Sequence, residues 1–157
     1  MILISSKWFW IPLYIFILYT LYKTFQKDFF KVLFSLGILI FLADFGSVQL
    51  FKEIFQRARP CHLLEGIRVV DGCGGPFGFV SSHAANSFGL ATFFYLTLKN
   101  YSNLFKYLFL WALIVSYSRI YVGVHFPIDI ISGIYFGIFS GYIFSLIFLK
   151  KNIFNVL

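Results

Sequence analysis

The chain has 157 residues, 60% apolar, 23% aromatic and only 12% charged, against about a quarter charged in soluble domains. This excludes an ordinary soluble globular domain and defines an all-α integral membrane protein, read as one domain over residues 1–157. The net charge of +7 makes no case for nucleic acid, because the basic residues divide between two membrane faces; it suits a neighbourhood of anionic membrane lipids.

A bilayer core about 30 Å thick needs roughly 17–25 apolar residues per helix, and five stretches approach that length: 8–22, 32–51, 81–98, 104–122 and 128–149. The expected architecture is a bundle of about five transmembrane helices, or six, with a polar loop between the second and third. The first stretch carries Pro12 and is flanked by Lys7 and Lys23. It is not read as a signal peptide, because Lys23, Thr24, Phe25 and Gln26 stand where a small-residue cleavage site would follow.

Five spans put the termini on opposite sides. Lys23, Lys27, Lys31, Lys99, Lys106, Lys150 and Lys151 fall on one face; Lys7, Lys52, Arg57, Arg59, Arg68 and Arg119 fall on the other with most of the carboxylates. The plain-lysine face, on short loops, is assigned to the cytoplasm and the arginine-rich face to the outside.

The long polar interruption, 53–79, contains Cys61, Cys73 and the glycines Gly66, Gly72, Gly74, Gly75 and Gly78. Two cysteines in an extracytoplasmic loop either pair, closing a ring worth about 3 kcal/mol, or stay as two free buried thiols. Residues 62–70 are expected to lie as a short interfacial helix.

Three stretches carry chemistry. Lys52 and Arg59, seven residues apart, project from one face if the second helix runs through both; an ammonium and a guanidinium then reach one phosphate. Pro60 ends or redirects that helix, and a merely basic helix end at headgroup level is the bland alternative. Ser81 or Ser82 caps the third helix, whose N-terminus is an anion site, with His83 in its first turn placed to give a proton to a departing oxygen. Asn86 and Ser87 keep that turn polar and are read mainly as packing residues. Ser118-Arg119 and His125-x3-Asp129 join the fourth and fifth helices. Gly123 permits the reversal and Pro127 suits the first helical turn. Asp129 accepts one imidazole N–H of His125, leaving the other nitrogen free to attack, while Arg119 holds the phosphate. Asp44, alone in the second stretch, is a costly intramembrane carboxylate. It either supports a site cation or is protonated and hydrogen-bonded between helices, the second role being preferred.

Lys52-x6-Arg59-Pro60, Val80-Ser81-Ser82-His83 and Ser118-Arg119-x5-His125-x3-Asp129 together resemble the type 2 phosphatidic acid phosphatase (PAP2) superfamily, membrane relatives of the vanadium haloperoxidases. The family pattern is Lys-x6-Arg-Pro, Pro-Ser-Gly-His and Ser-Arg-x5-His-x3-Asp. The first and third motifs match completely; Val80 and Ser82 replace the proline and glycine of the second. Five spans are one fewer than the six usual in bacterial members.

The resemblance implies a hydrolase acting on a phosphomonoester or diphosphate lipid headgroup, with no metal or cofactor. It makes His125 the nucleophile of a phosphohistidine intermediate, oriented by Asp129, with His83 as acid and then base. Lys52, Arg59, Arg119, Ser81 and Ser82 bind the phosphoryl oxygens. The middle sequence around Ser81–His83 is most like bacterial lipid A phosphatases, with undecaprenyl diphosphate and phosphatidylglycerophosphate phosphatases as alternatives. Arg57 and Arg68 suit a multiply phosphorylated headgroup. The implied setting is the bacterial inner membrane with the site facing the periplasm, in contact with membrane lipids and with no obligate protein partner. A non-enzymatic lipid-phosphate binding or transport protein would use the same cations without needing both histidines. A vanadate-dependent oxidase shares the residue pattern but fits poorly in so small and apolar a chain.

Overall fold

The computed structural model describes residues 2–66, 69 and 72–153. Among them the named elements are all helical, with one isolated antiparallel bridge between Ala58 and Phe77. Five helices form the body: α1 (Ile11–Phe25), α2 (Phe29–Gly46), α3 (Ser82–Leu98), α4 (Leu108–Tyr121) and α5 (Pro127–Ile153). Among the described residues, two helical stretches are long and apolar enough to cross a membrane, Trp8–Phe55, which contains α1 and α2, and Pro127–Phe148 in α5.

Helix α3 is central, with ten of its seventeen residues buried, and alpha-helical periodicity turns a stripe of each surrounding helix toward it. Ile17 and Leu21 of α1, Val32, Leu36 and Leu39 of α2, Phe88, Phe93 and Leu98 of α3, Leu108 and Ala112 of α4 and Phe148 of α5 form one core. The opposite faces are also apolar and exposed, as at Phe16, Phe34, Phe41, Leu110, Tyr135 and Phe139. A protein in water does not leave so much apolar surface uncovered; a protein in lipid does.

Between lipid-exposed helices the hydrophobic effect offers little discrimination, and close backbone packing takes its place. Helix α5 presents Gly133, Gly137 and Gly141, all buried, at intervals of four residues. They lie against the backbone of Ser81, Ala85 and Gly89 respectively. A Cβ at Gly133 would sit 2.6 Å from the Ser81 carbonyl, so this seam admits no side chain. It also joins the two helix beginnings: the Ser81 N–H donates to the Asp129 carbonyl at 3.0 Å. Phe25 packs on Phe148, so the α1–α2 junction lies at the other end of the bundle from the start of α5.

Helix α2 does not end at Gly46. It continues through a π-helical stretch, Ser47–Lys52, and a last turn, Glu53–Phe55. Gln56 then adopts a left-handed conformation, φ 44° and ψ 33°, and stops it. This corrects the single-helix expectation for Lys52 and Arg59: Arg59 lies beyond the helix in extended backbone, φ −72° and ψ 154°. Pro60 opens a four-residue helix, Pro60–Leu63. The expected interfacial helix over 62–70 is not formed at Leu64–Gly66; Ile67, Arg68 and Val70 lie outside the described residues. Cys61 and Cys73 form a disulfide with their Cα atoms 5.9 Å apart.

Candidate active site

The C-terminal end of α2, the N-terminal end of α3, the end of α4 and the turn before α5 surround a cavity of about 330 Å³. Lys52, Arg59 and Arg119 contribute cations to its wall; His83 and His125 contribute imidazoles. Ser82, Asp44 and the Gly72–Gly74 backbone complete it. Residues 67 positions apart in sequence, from Lys52 to Arg119, thus share one small space.

Each side chain is held by its local structure. The π stretch puts an extra residue into the last turns of α2, a feature common at functional sites, and Lys52 reaches across to donate to the Ser82 hydroxyl at 2.8 Å. Ser47 joins the same cluster, with its hydroxyl 2.5 Å from that of Ser82 and donating to the Asp44 carbonyl at 2.7 Å. The two serines of the middle motif divide their work. Ser81 is fully buried and caps α3, accepting from the Ala84 N–H at 3.4 Å; Ser82 faces the cavity. The first amides of a helix have no intrahelical acceptor, so the start of α3 adds donors and a positive dipole end beside Lys52.

Arg59 is fixed from two sides. Its Nε donates to the Gly75 carbonyl at 2.8 Å and its Nη1 to the Val124 carbonyl at 3.3 Å. The backbone around it pairs with the glycine loop, Arg59 N–H to the Pro76 carbonyl at 3.3 Å. The Cys61–Cys73 disulfide ties the two ends of this loop together, and Cys73 itself lines the cavity.

His125 sits in the turn between α4 and α5, nearly buried at 4% exposure. Gly123, at φ 77°, makes the reversal, a conformation that favours glycine. The imidazole has two different sides. Nε2 lies 3.5 Å from Arg59 Nη1 at the cavity, and Nδ1 lies 3.5 Å from Asp129 Oδ2. The latter is a long contact; Oδ2 also accepts the Phe126 N–H at 2.8 Å, which anchors the carboxylate, and such contacts shorten when a substrate is in place. Burial pushes the His125 imidazole below its ordinary value; Arg59 and Arg119 act in the same direction, while the neighbouring Asp129 carboxylate opposes them.

Two residues take places that differ from expectation. Asp44 is exposed and lines the cavity rather than being packed between helices, the role preferred from sequence. Arg57 is not on the cavity wall; it stacks over the Phe126 ring at 4.6 Å and donates to Asp129 Oδ1 at 3.2 Å. Asn86 is half-buried and Ser87 donates to the His83 carbonyl at 2.7 Å, a packing role. Residues that motif reading missed are Ser47, the Val124 and Gly75 carbonyls and the Gly72–Gly74 wall. The glycine richness of 72–75 was their one visible signal. Cys61, His62 and Cys73 group metal-ligating atoms within 4.8 Å of one another, but the disulfide engages both sulfurs.

A polar cavity holding three cations and two imidazoles, at the end of an apolar helical bundle, can bind a phosphate and attack it. The PAP2 superfamily model matches residues 28–153, and the chain belongs to that superfamily. It is 37% identical over 150 residues to a lipid A 4'-phosphatase of Bacteroides thetaiotaomicron, covering 91% of this chain and 66% of the relative. It is 36% identical over 147 residues to a lipid A 4'-phosphatase of Porphyromonas gingivalis, covering 89% of this chain and 61% of that one. The chain thus spans somewhat under two thirds of the length of these relatives. Its fold is similar to the crystal structure of a transmembrane PAP2 type phosphatidylglycerolphosphate phosphatase from Bacillus subtilis, with a TM-score of 0.63 and 23% identity over 93% of this chain and 72% of that one.

Proposed function

We propose that this protein is a membrane lipid phosphatase, and that its substrate is a phosphomonoester on the saccharide headgroup of lipid A. The observation that carries the reading is His125 itself: one ring nitrogen at the cation-lined cavity, the other toward Asp129. A binding or transport protein needs the cations but not an imidazole oriented in this way. The choice of lipid A leans on the two relatives of that name; phosphatidylglycerophosphate and undecaprenyl diphosphate are the competing headgroups.

In the proposed reaction Lys52, Arg59 and Arg119 hold the phosphoryl oxygens, with the Ser82 hydroxyl and the first amides of α3 as further donors. The lone pair of His125 Nε2 attacks phosphorus, the N–P bond forms as the ester P–O bond breaks, and His83 gives its proton to the departing sugar oxygen. His83 then takes a proton from water, whose oxygen bonds to phosphorus as the N–P bond breaks and inorganic phosphate leaves. Positive charge that develops on the ring is stabilised by Asp129. We further propose five membrane-crossing helices, a single domain, and a bacterial inner membrane location with the cavity on the periplasmic face. The arginine-rich end carrying the cavity and the lysine-rich opposite end support this orientation.

The test is phosphate release from purified protein in detergent with metal chelated, offered lipid A, phosphatidylglycerophosphate and undecaprenyl diphosphate. Release from lipid A that His125→Ala abolishes and His83→Ala strongly reduces is the expected result. Folded wild-type protein that releases phosphate from none of them sinks the proposal.

A further inference from the structure

We propose that Arg57 is a positioning residue for phosphoryl transfer: it clamps the Asp129 carboxylate from the side away from His125 and so sets the tautomer and orientation of the nucleophilic ring. The inference rests on the functional reading above and adds a residue at a position that the first motif leaves open.

Asp129 is 0% exposed, and an ionised carboxylate so placed needs partners for both oxygens. Oδ2 is occupied by the Phe126 N–H at 2.8 Å and faces His125 Nδ1 at 3.5 Å. Oδ1 is taken by Arg57 Nη1 at 3.2 Å. The carboxylate plane is therefore fixed by donors at both ends rather than free to rotate about its χ2 axis. Arg57 is itself held in place. Its guanidinium stacks over the Phe126 ring at 4.6 Å, and its carbonyl accepts the Gly78 N–H at 2.8 Å. Gly78 in turn covers the pair: a Cβ there would lie 3.3 Å from Asp129 Oδ2 and 3.6 Å from His125 Nδ1. Arg57 reaches Asp129 from behind, while the cavity opens on the Nε2 side of the ring, so it is not placed to touch the transferred phosphate.

The consequence for catalysis is specific. A neutral imidazole attacks only if the proton is on Nδ1, and that tautomer is kept by a correctly aimed Oδ2. Partners that orient a histidine through its second nitrogen are worth about 10–100-fold where they have been measured at metal sites. Arg57→Gln should lower kcat about tenfold with KM changed less than about twofold, and Arg57→Lys should recover part of the loss. An arginine that bound the headgroup would raise KM instead.

The charge effect has a sign. The groups facing the His125 ring are Asp129 from α5, Arg119 from α4, Arg59 from the loop and, across the cavity, His83 from α3. Removing the positive charge behind Asp129 leaves that carboxylate freer to stabilise imidazolium, so His125 should titrate at higher pH in Arg57→Gln.

The experiment is a double-mutant cycle read in two ways. Nitrogen NMR of histidine-labelled protein in detergent follows His125 titration, and phosphate release gives kcat and KM, for wild type, Arg57→Gln, Asp129→Asn and the double variant. The expected result is an upward His125 shift and a kcat loss on Arg57→Gln, both largely abolished in the Asp129→Asn background. Shifts and losses of equal size in both backgrounds, or an effect confined to KM, overturn the proposal. Wild-type protein that releases no phosphate defeats the functional reading alone, and the NMR arm still decides whether Arg57 acts through Asp129.

Discussion

Gly133→Ala adds one methyl group to the α3–α5 seam at the level of the active site. Its Cβ would meet the Ser81 carbonyl oxygen at 2.6 Å and the Ala84 Cβ at 3.0 Å, where ordinary contact begins near 3.4 Å. The helices must therefore part by about 0.8 Å at this level. Neither obstacle is the end of a flexible side chain, so the strain cannot be relieved by a rotamer change. Overpacking of this kind costs about 1–3 kcal/mol, and alanine's helix propensity returns at most about 1 kcal/mol. The displacement acts on the Ser81 N–H to Asp129 carbonyl bond, now 3.0 Å, and through it on His125 and Ser82. A misplacement near 1 Å costs about 100-fold where geometry governs the rate, so a loss of about 10–100-fold in kcat is expected. Gly37→Ala is the control: nothing lies within 4 Å of its Cβ, and it should keep full activity. Phosphate release and unfolding in mixed micelles measure both quantities. Gly133→Ala protein with unchanged kcat and unchanged stability would refute the claim that this seam sets the site.

Because burial holds the His125 imidazole below its ordinary value, the neutral, attacking form persists to lower pH; the acidic limb of kcat/KM assigned to His125 should fall below about pH 6.5, and a limb above it contradicts the assignment. Opening the Cys61–Cys73 disulfide, by reductant or by paired serine substitution, frees the Gly72–Gly74 wall and the loop that brackets Arg59. KM should rise several-fold with a smaller change in kcat, and fully reduced protein with wild-type KM argues against a role for the bridge. Asp44→Asn removes the negative charge from an anion cavity, so inorganic phosphate should inhibit more strongly, by about fivefold or more, since unit charges about 4 Å apart interact by about 1 kcal/mol even in water. Weaker inhibition would mean that Asp44 instead supports Lys52.

The polar groups of the cavity were legible because phosphate chemistry restricts residue type. Only an imidazole with a carboxylate four residues on, and cations in an otherwise apolar chain, make sense as a phosphate site, and Lys52, Arg59, Arg119, His83 and His125 do line one cavity. The route by which they meet was not legible. Lys52 and Arg59 were expected on one helical face, because spacing alone does not reveal that Gln56 turns left-handed. Ser81 and Ser82 were grouped as phosphate ligands, yet capping turns Ser81 inward and leaves Ser82 at the cavity. Arg57 read as a cation for a multiply phosphorylated headgroup because its partner lies 72 residues away. The Gly133, Gly137, Gly141 spacing was present in the sequence and carried the seam signal, but glycine in an apolar helix also reads as mere flexibility.

The seam also explains why an anion site forms at this end of the bundle. Helices in lipid associate by close backbone approach, and α3 and α5 meet along glycines that bring Ser81 and Asp129, at their first turns, within one hydrogen bond. Two helix beginnings then share one place, each with the positive end of a dipole. An unoccupied cluster of such ends with three cations is electrostatically costly, which favours a multiply charged anion and supports placing Asp44 and Asp129 as its resident negative charges. The described residues between Arg57 and Gly78 lie outside the helix packing of the bundle and are tied by other means: the Ala58–Phe77 bridge, the disulfide and the Arg57–Asp129 ion pair. Packing therefore fixes the helix that carries Asp129, and the loop outside the bundle fixes its carboxylate beside His125.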